Sequence, residues 1–78
     1  MNAISPAPVT AVCNDLAFDA IVECCDLAAS YARSAAEAAW RGDRWLLAGH
    51  LSQLRACVVT ALDAHGRLDG PRENGARG

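Results

Sequence analysis

The chain has 78 residues, 53% of them apolar, and a formal net charge of −2. A chain this small holds one domain and leaves much of its surface uncovered, so its stability must come from a compact core or from association. With 9 acidic against 7 basic residues and no basic cluster, the electrostatic footprint for nucleic acid or anionic lipid is missing, and neither is expected as a partner.

The 17 alanines, with 7 arginines and no lysine, bias the whole chain toward helix and allow helix axes to approach closely. No apolar run comes near the roughly eighteen residues that a bilayer span needs. The first residues, Met1 to Pro6, have no basic region followed by an apolar one, so they do not read as a secretory signal. The expectation is a cytoplasmic bacterial protein with reduced thiols, in which Cys13, Cys24, Cys25 and Cys57 serve some purpose other than disulfides.

In chain order, residues 1–8 read as a flexible lead-in, with Pro6 and Pro8 suited to a helix start. Helix 1 is expected over about 9–41, a stretch free of Gly and Pro. Its polar residues, from Asp15 and Asp19 through Glu23 and Asp26 to Glu37 and Arg41, recur at steps of three or four and keep to one stripe. Opposite them run Asn14, Phe18, Ile21, Cys25, Ala28, Ala32, Ala35 and Ala39.

Gly42 and Asp43 form the break. A glycine takes the left-handed conformation that closes a helix, and an aspartate caps the next one through its carboxylate. Helix 2 is expected over about 44–66, with Leu47, Leu51, Leu54, Val58, Ala61, His65 and Leu68 on one line. So short a connection makes the helices antiparallel neighbours. Folding about Gly42 sets Ala39 against Leu47, Ala35 against Leu51, Ala32 against Leu54 and Ala28 against Val58, small residues facing large ones. Residues 69–78, rich in Gly and charge, read as a disordered tail.

The fold class is therefore all-α, an antiparallel hairpin of two long helices. Apolar residues continue beyond the two lines, at Val22, Ala29, Ala36 and Trp40, and at Leu46, Cys57 and Leu62. An apolar arc that wide fits a helix with more than one neighbour, so the hairpin is expected to form a homodimeric four-helix bundle. The core or dimer seam then comprises Phe18, Ile21, Cys25, Leu47, Leu51, Leu54, Val58 and Ala61.

Three groups carry candidate chemistry. Cys24, Cys25 and Cys57, with His50, are the residues able to hold a soft metal. No C-x-x-C or H-x-x-x-H pair supplies chelating spacing, however, and a free cysteine is more often a small buried hydrophobe. His50 and His65 read first as satisfied core or interface histidines.

Asp15, Asp19, Glu23 and Asp26 form an acidic ridge able to dock a basic partner, although charge runs on helices are usually just solvated. Trp40 and Trp45 flank the turn with Arg41 and Arg44. The plainer account has the two indoles packing across the bend or covering the ends of the partner's helices in the dimer; the sharper one makes the tip a contact point, because Trp and Arg dominate binding hot spots. No nucleophile, base and orienting group converge, and no cofactor motif is present, so an enzyme is not expected. The function expected is a small non-enzymatic interaction module of adaptor, chaperone or regulator type, binding itself and a protein partner; the alternative is a metal- or redox-responsive protein.

Overall fold

A computed structural model describes residues 9–69, with side chains from residue 11 onward. The readings of residues 1–8 as a lead-in and 70–78 as a tail fall outside the described residues. Two helices make up the fold: α1, Val9–Arg41, of 33 residues, and α2, Arg44–Gly66, of 23 residues. They pack against each other as an antiparallel hairpin. Neither is long and apolar enough to cross a membrane.

The turn is built from two backbone closures and one side chain. Gly42 has φ +72°, the left-handed region that costs a residue with a Cβ but not glycine. The Gly42 N–H donates to Ala39 O at 3.0 Å and the Asp43 N–H to Ala38 O at 2.9 Å. That pair of bonds is a Schellman closure, which satisfies carbonyls that the helix end leaves open. Asp43 then caps α2, accepting the Leu46 N–H on Oδ1 at 3.1 Å, while its backbone carbonyl accepts the Leu47 N–H at 3.0 Å. Gly66 lies in the last turn of α2, and the end is closed by the Arg67 N–H donating to Ala64 O at 3.1 Å and the Leu68 N–H to His65 O at 3.1 Å.

The seam between the helices differs from the expected one. On α1 the inward row is Asn14, Ala17, Ile21, Cys24, Ala28, Tyr31, Ala35 and Ala38; on α2 it is Leu47, His50, Leu54, Cys57, Ala61 and Ala64, with Leu68 just past its end, all buried or half-buried. Alternate members of each expected line have moved outward: Cys25, Ala32 and Ala39 on α1, and Leu51, Val58 and His65 on α2, are exposed. Each helix is thus turned by about 50°, half of one residue step. A 4-3 alternation flanked by further apolar residues contains two overlapping seams that share every other position, and periodicity cannot choose between them. Packing chooses: the seam that forms carries fully buried Ala38 and Ala64, over which the backbones can approach.

The register also slides by about a turn. The Tyr31 and His50 rings lie 6.4 Å apart, whereas a register that sets Ala32 against Leu54 puts His50 about a turn nearer the tip. The chain turns back through Asp43 onto Ala38, so pairing is set from that closure and not from the glycine.

Candidate functional site

The hairpin tip lies in the last turn of α1 and the first of α2, which the Gly42–Asp43 closure holds side by side. Trp40 and Trp45 are each 90% exposed, and Arg41 and Arg44 are exposed between them. The indoles therefore do not pack across the bend. Trp45 borders a shallow depression with Tyr31, Leu46, Gly49, His50 and Gln53. Apolar rings beside cationic guanidinium groups, in water and on a short rigid turn, have the composition of a binding anchor.

The acidic ridge runs along the outer side of α1. Asp19, Glu23 and Asp26 are exposed and Asp15 is half-buried. Glu23 and Asp26 stand in an ordinary exposed stripe, and no cleft encloses them among the described residues.

The thiols separate. Cys24, Cys25 and Cys57 line one groove of about 250 Å³ together with Ile21, Ala28, Val58, Ala61, Leu62 and His65. Cys13 borders a different depression with Leu16, Ala17, Ala20 and Arg67. His50, the fourth candidate ligand, turns to Tyr31 and the Trp45 side instead. Among the described residues, no three His, Cys, Asp or Glu side chains are placed to hold a metal ion.

Of the expected seam, Phe18, Ile21, Leu47, Leu54 and Ala61 are half-buried, whereas Cys25, Leu51 and Val58 are exposed. No large side chain among the described residues is fully buried; the core consists of Ala17, Ala35, Ala38 and Ala64, with Asn14 beside it. The chain matches no family model, no curated protein and no solved structure.

Two features escaped the sequence reading. The Asn14 carboxamide binds the Asp69 backbone at both atoms; its one signal was an amide within an otherwise apolar row. The second is the contact of the Tyr31 ring with the His50 ring across the two helices, between residues too far apart in sequence for periodicity to pair.

Proposed function

We propose that this protein is a small non-enzymatic protein–protein interaction module, acting as a homodimer and presenting its hairpin tip to a protein partner. One observation carries the reading. Among the described residues only alanines are completely buried, while Leu16, Val22, Leu27, Leu51, Val58 and Leu62, together with both tryptophans, stay at 44% exposure or more. They fall on more than one side of the pair, with Val58 and Leu62 together beside the Cys25 groove, and large apolar patches in water mark contact sites.

The tip is the better partner site of the two considered. Exposed carboxylates on a helix need no explanation, whereas two solvated indoles do. Capture of binding proteins from native lysate tests it with three baits: the natural chain, Trp40→Ala/Trp45→Ala, and Asp19→Asn/Glu23→Gln/Asp26→Asn. A specific protein lost only with the tryptophan pair supports the tip. Loss only with the neutralised ridge moves the site to α1's acidic side, and retention by both variants removes both candidates.

A metal- or redox-responsive role is the second reading, favoured by the three thiols around one groove. Stoichiometric zinc or copper in the purified protein, or one fast-reacting thiol in that groove, would support it over the first. Metal-free protein with all three groove thiols slow to react would remove it.

A further inference from the structure

We infer that the face of the hairpin around the Cys25 groove is covered by a second copy of this chain, oriented so that the alanine-rich edge of α1 in each copy lies over the leucine–valine edge of α2 in the other. The inference rests on the homodimer reading above and adds to it a face, an orientation and a residue pairing.

The four sides of the helix pair differ in composition. Asp19, Glu23 and Asp26 project from the back of α1, and Asp63 and Ser52 from the back of α2, all exposed. The broad face on the Tyr31–His50 side also carries exposed Leu16 and Leu46, but Gln53 and, farther along, Arg67 interrupt it. The opposite broad face is different. There α1 presents Val22, Cys25, Ala29, Ala32, Ala36 and Ala39, all exposed and none charged. Beside them α2 presents Leu51, Val58 and Leu62, at 47%, 44% and 64% exposure. That Cys25, Val58 and Leu62 line one groove places the two rows on the same side of the pair. Arg55 stands at the outer edge of this face, in the position of a rim charge.

Size decides the occupant. Between Cys25 and Ala39 α1 carries only small residues on this face, and the facing stretch of α2 carries Leu51 and Val58, so over that stretch the surface is complementary to itself. A two-fold axis parallel to the helices brings α1 of one copy under α2 of the other, antiparallel to it, and each alanine row receives a leucine–valine row. A two-fold axis across the helices would stack alanine on alanine and leucine on leucine, leaving a gap on one side and crowding on the other; interiors tolerate neither. In the first arrangement both tips point the same way, and Ala32 of one copy opposes Leu51 of the other, as Cys25 opposes Val58.

Extent agrees. The 23 residues of α2 give a face about 35 Å long, and two helices side by side make it about 20 Å wide, near 700 Å² in projection. Stable complexes bury about 800 Å² of accessible surface per partner. A single added helix would cover half of this face, whereas a second hairpin covers all of it.

Sedimentation equilibrium on the natural chain, on Ala32→Leu, on Leu51→Ala and on an equal mixture of the two variants tests the pairing. Each variant alone is expected to raise the dimer dissociation constant about ten-fold or more, one by overfilling and the other by a cavity. The mixture is expected to recover to within a few-fold of the natural chain. A heterodimer replaces the defect with a leucine from one chain over an alanine from the other, and keeps the natural pair at its second contact. Because recovery requires both chains, it also reads out when a single variant is poorly folded. If the natural chain dimerises but mixing restores nothing, the proposed face and orientation are wrong and the homodimer stands. If the natural chain is monomeric at about 100 μM, well above ordinary dimer dissociation constants, both fall together.

Discussion

Asn14 holds Asp69 by both atoms of its carboxamide: Oδ1 accepts the Asp69 N–H at 2.9 Å and Nδ2 donates to the Asp69 carbonyl at 2.8 Å. The two residues are 55 apart in sequence, so this clasp ties the chain just past α2 to the first third of α1, at the end of the hairpin opposite the turn. Asn14 is 3% exposed, and its polar atoms are therefore satisfied by protein, as burial requires. Asp69, where the stretch read as a tail begins, is held through its own backbone.

Loss of the clasp leaves two backbone groups unpaired in a partly buried place. Asn14→Ala is expected to cost about 1–3 kcal/mol of stability, read as a lower midpoint in thermal or urea unfolding. Asp69→Ala keeps both backbone partners and should stay within about 0.5 kcal/mol of the natural chain. Asp69→Pro removes the donor and should fall with Asn14→Ala. Equal effects of the alanine and proline changes at Asp69 would show that the backbone bonds do not matter.

At the turn, the cost of replacing Gly42 is purely conformational, because an added Cβ would meet nothing within 4 Å. Gly42→Ala is expected to destabilise by about 1–2 kcal/mol through its positive φ. Asp43→Ala removes the acceptor for the Leu46 N–H and should cost about 0.5–2 kcal/mol. Unfolding midpoints of both variants check these values, and an unchanged midpoint for Gly42→Ala would mean that the turn relaxes.

Trp40 and Trp45 contribute little to the hairpin itself, since each is 90% exposed. Their alanine variants should unfold within about 0.5 kcal/mol of the natural chain while losing partner capture. Marked destabilisation would show instead that the indoles pack within the assembly.

The two sides of α2 should respond differently to charge. Leu62 and Val59 are similarly exposed, at 64% and 54%, but Leu62 lines the Cys25 groove and Val59 lies on the back with Ser52 and Thr60. Leu62→Glu should abolish dimerisation at micromolar concentration, whereas Val59→Glu should leave it unchanged, as measured by light scattering. Equal behaviour of the two variants contradicts the assignment of faces.

How much of this was legible in the sequence depends on the kind of signal. The two helices and their turn were, because the 4-3 alternation, Gly42 and Asp43 act locally, within a few residues. Which of the adjacent apolar rows meets the other helix was not. Cys24 and Cys25, or His50 and Leu51, are neighbours around the helix, and only tertiary packing selects one of each. The same limit hid the Tyr31–His50 contact and the Asn14 clasp, which join residues far apart in sequence. It also misplaced the candidate ligand set, since His50 turns toward Tyr31 and the three groove cysteines face elsewhere. For the tryptophans, sequence left more than one account open, and their exposure removes packing across the bend.

The central claim, that a second copy covers the Cys25 face, is tested most directly by thiol labelling with a maleimide, read cysteine by cysteine by mass spectrometry as protein concentration is raised. Cys13 and Cys25 are both exposed on the single hairpin, but they border different sides of it, so Cys13 serves as the internal control. The account predicts that Cys13 labels at the same rate at every concentration while Cys25 slows at least ten-fold as dimer forms, in step with sedimentation. Cys25 labelling as fast as Cys13 at every concentration would contradict it.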